Sequence, residues 1–271
     1  MYATAAICPG FPEGAPCWAD ARLPDVEAGK RFYGDLFGWT FDEGAGAERG
    51  YYTAAYGEDR AVAALAPGAA AWTVHFAVRD TYATAERAVA AGGGITAGPV
   101  SDGAVATVAR VVGPEGAPFG LWQAGSHQGF ERTGAPGALC RAELHTPDAA
   151  LSDSFYEGVF GYAAEERGHG LRDWHPREPA PAAASAAAPA AAPATVRAPG
   201  LARLAASGTA RPRFLLHFGA TDPDASCAEA VRLGGHVRVA PHDTPYGRRA
   251  VLVDDQGAEF GLCAPLEPTG A

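Results

Sequence analysis

The stretch Cys17-Trp-Ala-Asp-Ala-Arg-Leu-Pro-Asp25 returns 123 positions further on as Cys140-Arg-Ala-Glu-Leu-His-Thr-Pro-Asp148. The register holds beyond it: Phe32-Tyr33 and Phe37-Gly38-Trp39 come back as Phe155-Tyr156 and Phe160-Gly161-Tyr162. A β-prone run that ends in Asp, followed by apolar residues at helical spacing, reads as strand then helix. Asp25 and Asp148 stand where an N-cap oxygen is needed for the free amides of the first helical turn. Gly38 and Gly161 stand where a left-handed residue closes a helix.

A second pair of segments shares this plan. Trp72-Thr-Val-His-Phe-Ala-Val-Arg-Asp80 returns as Phe214-Leu-Leu-His-Phe-Gly-Ala-Thr-Asp222, with Pro223 at the first helical position. Gly92 and Gly234 mark the helix stops. The tails match as well, Gly116-Ala-Pro-Phe-Gly-Leu-Trp122 against Gly257-Ala-Glu-Phe-Gly-Leu-Cys263. Short β-prone runs follow each helix, among them Tyr51 to Tyr56, Ala61 to Leu65, Val105 to Val112, Val237 to Ala240 and Arg249 to Asp254. The chain therefore reads as α+β: four βαβββ modules paired into two cupped mixed-sheet domains. The first domain is expected over 11–125 and the second over 138–265, with a linker at 126–137. An Ala/Pro-rich insertion at 176–199 lies inside the second half. That composition builds no core and reads as an exposed loop.

Composition narrows the function. The 271 residues carry 21 Lys and Arg against 31 Asp and Glu, a net charge of −10. A phosphate-tracking protein or one bound to an anionic membrane is expected to be basic, so neither nucleic acid nor membrane is an expected partner. No apolar run reaches the roughly 20 residues that span a bilayer. Cys8, Cys17, Cys140, Cys227 and Cys263 are odd in number and show no CxxC spacing. With no signal-peptide pattern before Gly10, a cytoplasmic location is expected. The expected state is monomer or homodimer.

The repeated strand, Pro-Asp, helix, Phe-Tyr-x3-Phe-Gly-Trp pattern resembles the vicinal oxygen chelate superfamily of glyoxalases, bleomycin-resistance proteins and extradiol dioxygenases, in particular its tandem two-domain glyoxalase-like or hydroxylase-like members. The resemblance covers nearly the whole chain apart from the first ten residues and the insertion. It implies two concave sites. It implies no single reaction, because the scaffold hosts lyases, isomerases, epimerases, dioxygenases and binding proteins. Metal-dependent members carry His or Gln seven residues before the capping Asp, where this chain has Trp18, Thr73, Arg141 and Leu215. Their Glu on the last strand falls at Gly120 and Gly261. The family's metal pattern is missing, and no cofactor is expected.

Five residues before each Asp stand Asp20, His75, Glu143 and His217. Strand side chains alternate, so these positions share the concave face with the family's ligand positions. Each half is thus expected to aim one carboxylate and one imidazole inward, with His75 held by Asp20 and His217 by Glu143 for acid–base work. Trp18, Trp72, Trp122 and Tyr56 are candidate walls for a planar, aromatic or cationic organic ligand, with Arg22 and His145 as further contacts. An alternative metal set for a divalent ion in the second domain is Glu143, His145, His217 and Glu259. Cys17 and Cys140 start matched strands and read as buried thiols. The run His169, Arg172, Asp173, Trp174 and His175 reads as an exposed polar loop or a lid. The functional expectation is a small-molecule enzyme doing metal-independent isomerase, cyclase, epimerase or lyase chemistry, conceivably in specialised metabolism. The alternatives are a drug-sequestering binding protein without chemistry and a divalent-metal enzyme.

Overall fold

The computed structural model describes residues 10–42, 52–176, 196–205 and 211–264. The elements of the first half are β1 (Pro16–Leu23), α1 (Val26–Phe37), β2 (Thr40–Phe41), β3 (Thr53–Gly57), β4 (Arg60–Pro67), β5 (Ala71–Ala77), α2 (Thr81–Ala90), β6 (Gly94–Asp102), β7 (Ala106–Val112) and β8 (Pro118–Ala124). Those of the second are β9 (Leu139–Thr146), α3 (Ala149–Phe160), β10 (Ala163–Gly168), β11 (Leu171–His175), β12 (Gly200–Ala205), β13 (Arg213–Gly219), α4 (Pro223–Arg232), β14 (His236–Thr244), β15 (Gly247–Val253) and β16 (Glu259–Ala264). Each helix is followed by three strands. All four helices start on the expected Asp, whose carboxylate accepts from a first-turn amide: Ala28 for Asp25, Ala83 for Asp80, Leu151 for Asp148, and Asp224 and Ala225 for Asp222.

Each half forms one mixed eight-stranded sheet, ordered β2-β3-β4-β1-β5-β8-β7-β6 and β10-β11-β12-β9-β13-β16-β15-β14. Two modules meet at the central antiparallel pair, β1 with β5 and β9 with β13. The first strand of each module also pairs in parallel with its last, so the helix between them crosses one face of the sheet. The other face is left open.

Alternation decides which side chains face the helices. Cys17, Ala19, Ala21 and Leu23 on β1, and Trp72, Val74 and Phe76 on β5, sit in the hydrophobic core. The central strands β5 and β13 pass each other on this side. Trp72 packs on Phe218 with ring centroids 4.9 Å apart, and Phe76 on Phe214 at 5.3 Å. Helix α1 lies beside α4 and α2 beside α3. The two sheets are therefore back to back across one shared aromatic core, and their open faces point away from each other.

Two bonds cross that core, the first buried and the second half-buried. Tyr33 on α1 donates to Asp254 of the second half at 2.8 Å, and Tyr156 on α3 donates to Glu115 of the first half at 2.8 Å. The matched tyrosines of the repeat thus perform matched tasks. Trp72 Nε1 donates to the Tyr33 hydroxyl at 2.9 Å, which completes a buried chain.

The segment read as a linker is closely packed. Phe130 donates its amide to the Cys17 carbonyl, Glu131 its amide to the Ala61 carbonyl, and Trp39 Nε1 reaches the Gly137 carbonyl. The run 169–175 departs from the exposed loop or lid expected of it: most of it is strand β11, with Trp174 in the core and Asp173 buried. Most of the Ala/Pro-rich insertion falls outside the described residues. Among the described residues no helix is long and apolar enough to cross a membrane.

Candidate functional site

The open face of the first sheet holds a cavity of about 500 Å³, within the range of small-molecule sites. Asp20 and Arg22 from β1, His75 from β5, Arg110 from β7 and Trp122 from β8 reach it, as do Tyr52 and Tyr56. His127 and Glu131, from the segment after β8, also line it.

Asp20 and His75 meet as the alternation implies. His75 Nε2 lies 3.1 Å from Asp20 Oδ2, and both side chains are almost wholly buried. Arg110 reaches the same carboxylate, with Nη2 at 3.3 Å from Oδ2 and 3.5 Å from Oδ1, while its Nη1 approaches Thr73. Burial alone would raise the Asp20 carboxyl, but His75, Arg110 and Arg22 outweigh it and hold it down to about 2. With Asp20 ionised, Nε2 must be the protonated ring nitrogen. Nδ1 is then the nitrogen left without a partner. It faces Gly120, the cross-strand partner of His75.

Gly120 occupies the family's Glu position, and the structure shows why it stays a glycine. A Cβ there would meet His75 Nδ1 at 2.0 Å. Gly261 stands in the same relation to His217, at 2.2 Å. In each half the imidazole fills the space that a carboxylate would need. With Trp18 and Thr73, or Arg141 and Leu215, at the remaining family positions, these residues do not fit the superfamily's metal.

Trp18 is fully buried on the open-face side, and its Nε1 donates to the Tyr52 hydroxyl at 2.5 Å. Its ring packs against Trp122, His127 and Phe130. Trp72, read as a cavity wall, is not one. It has the parity of Phe76 and points into the core between the halves. Arg22 lines the cavity and also donates to the Pro67 carbonyl. Sequence reading missed Tyr52, Arg110, His127 and Glu131. The signal for Arg110 was a lone charge in Ala-Thr-Val-Ala-Arg-Val-Val, in phase with Ala106 and Val108 and out of phase with the buried Ala109 and Val111.

The second half is built otherwise. Glu143 does not hold His217: it takes His145 instead, Oε1 to Nε2 at 3.0 Å. His145, two residues along the same strand, stands where the first half has Arg22. The other oxygen of Glu143 accepts from Arg141 at 3.4 Å and Arg249 at 3.3 Å. Both guanidiniums also flank the Tyr246 ring. His217 is buried with neither ring nitrogen bonded. Its burial, reinforced by Arg249, lowers the imidazole to about 3, so it is neutral at physiological pH despite the nearby Glu143 charge. The expected metal set also comes apart. Glu259 pairs with Arg213 and Arg238. Among the described residues no three His, Cys, Asp or Glu are grouped to hold an ion.

Comparison with known proteins places this geometry. Residues 141–263 match the model of the glyoxalase-like domain family. Over 274 aligned residues the chain is 35% identical to the anthracycline biosynthesis protein DauV of Streptomyces sp. (strain C5), covering 93% of this chain and 94% of that one. The chain belongs to the glyoxalase-like, vicinal oxygen chelate superfamily. This glyoxalase-like chain is also 34% identical to the anthracycline biosynthesis protein DnrV of Streptomyces peucetius, over 93% of this chain and 94% of that one. Its fold is shared with the Mn(II)-bound glyoxalase of Novosphingobium aromaticivorans, at a TM-score of 0.62 and 14% identity, over 95% of this chain and 84% of that one.

Proposed function

We propose that the first half is the active half, and that its cavity takes a planar aromatic small molecule of secondary metabolism and moves protons on it. The Asp20–His75 pair is the proton-handling unit of an isomerase, cyclase, epimerase or lyase type of reaction that needs no bound metal. The observation that carries this reading is the 3.1 Å Asp20–His75 contact on the wall of a ligand-sized cavity. A carboxylate that fixes the tautomer of an imidazole and offsets its charge is what general acid–base catalysis asks of a second residue. The names of the two Streptomyces relatives support the class of substrate.

A second reading is favoured by one observation, the direction of Nδ1. It packs against Gly120 rather than toward open space. A protein that holds its ligand against Trp122 without chemistry needs no accessible base. The two readings separate in a comparison of His75→Ala with Trp122→Ala, screened against aromatic polyketide-type ketones. Under the first, His75→Ala loses turnover by roughly 100-fold or more while ligand affinity changes little. Turnover that survives His75→Ala, with affinity falling only in Trp122→Ala, establishes the second.

A further inference from the structure

The floor of the first cavity holds two hydrogen-bond donors whose arrangement the acid–base pair does not explain. Tyr52 receives the Trp18 indole N–H on its oxygen at 2.5 Å. With that side of the oxygen taken, the hydroxyl proton is directed elsewhere. Burial and the Asp20 charge push the phenol well above its ordinary range, so it remains a donor at all physiological pH. Arg110 spends N–H groups on Asp20 and Thr73 yet keeps 29% of its side chain exposed, on the cavity wall. A guanidinium carries five N–H donors. The charged groups that act on the Tyr52 hydroxyl are Asp20, Arg110 and Arg22, and Asp42, Asp102 and Glu131 line the same cavity.

Resting on the assignment of the first half as the active one, we propose that Tyr52 and Arg110 form an oxyanion site that takes the oxygen of a phenol or enolisable ketone in its anionic form. A neutral donor and a guanidinium, both fixed before the ligand arrives, stabilise charge that develops on such an oxygen. The substrate class is then an aromatic compound with a hydroxyl or keto oxygen at its leading edge. The proton lost from the oxygen, or from the carbon beside the carbonyl, passes to solvent water, and the electron pair of the broken bond ends on that oxygen, beside the two donors. Among the described residues the second half offers no counterpart to Arg110: where Arg110 lies opposite Gly120, Val251 lies opposite Gly261, and Arg249 is two pairs further along, bonded to Glu143.

The test uses the full chain and 4-nitrophenol, whose ionisation is read by visible absorbance and needs no turnover. In the wild type the bound phenol is expected to ionise about 1–3 pH units below the free one, the shift that a nearby opposite charge produces. Tyr52→Phe and Arg110→Gln should each return the midpoint by about one unit, with thermal melting used to confirm that both variants are folded. A bound phenol that titrates as it does in free solution overturns the proposal. So does a shift that survives both substitutions, or an absence of binding. The outcome is independent of His75: a shifted phenol in a protein that proves to have no turnover keeps the oxyanion site and removes only the enzyme reading.

Discussion

The imidazole of His75 lies against the α-carbon of Gly120, so closely that a methyl group there would stand 2.0 Å from Nδ1. Strand pairing fixes the two residues opposite each other on β5 and β8. Gly120 cannot take a side chain while the ring stays in place. Gly120→Ala is expected to destabilise by roughly 1–3 kcal/mol, the usual cost of overpacking a filled core. In the double variant with His75→Ala, much of the Gly120→Ala cost should vanish. Urea unfolding of the four proteins of this cycle measures the coupling; additive losses would show that the ring is not what excludes the side chain.

His217 makes acid stability a test of the second half. Its imidazole falls from 6.5 in the unfolded chain to about 3 in the fold. A depressed value means that stability is present above pH 6.5 and is lost as pH drops toward 3, because only the unfolded chain takes up the proton in that window. The expected loss over that window is on the order of 5 kcal/mol. His217→Leu should remove most of that slope. It should cost little at pH 7, since it replaces a neutral, unbonded polar group with an apolar one. Melting temperatures from pH 7 to pH 4 for both proteins check this, and parallel curves would contradict it.

Asp20 adds a smaller effect at lower pH. Its carboxyl moves from 3.8 to about 2, so its contribution of about 2 kcal/mol holds above pH 3.8 and disappears between there and pH 2. Asp20→Asn should flatten that segment of the stability profile. A profile identical to wild type would mean that Asp20 is not stabilised by its neighbours.

The two cross-core tyrosine bonds are predicted to matter equally. Tyr33→Phe leaves Oδ2 of buried Asp254 without its donor, and Tyr156→Phe does the same to Oε1 of half-buried Glu115. Each change should cost roughly 1–3 kcal/mol. The costs should add in the double variant, because the bonds lie on different helices and share no partner. Chemical denaturation of the three variants provides the measurement.

Much of this was readable in the residues. The duplicated Pro-Asp caps and the Phe-Tyr and Phe-Gly pairs specify four modules, because each cap and each stop has a local physical cause. The meeting of Asp20 and His75 was readable as well, since both share the parity of the open face. That parity also places Trp72 with Phe76 on the opposite face, so the wall assignment conflicted with the rule used for His75. Other features have no local signature. Glu143 bonds His145 and not His217 because its own strand carries a second imidazole two residues away, where the first half has Arg22. Tyr52 and Arg110 come from β3's approach and from β7, and the strand order β3-β4-β1-β5-β8-β7 that brings them to one cavity is fixed only by long-range pairing.

The back-to-back arrangement ties the two copies together for life. Cut between them, either would present a bare wall of aromatic rings to water, Trp72, Phe76 and Phe119 on one side and Phe214, Phe218 and Phe260 on the other. Each copy therefore serves as the other's missing wall, so neither can be discarded, whatever its own open face takes up.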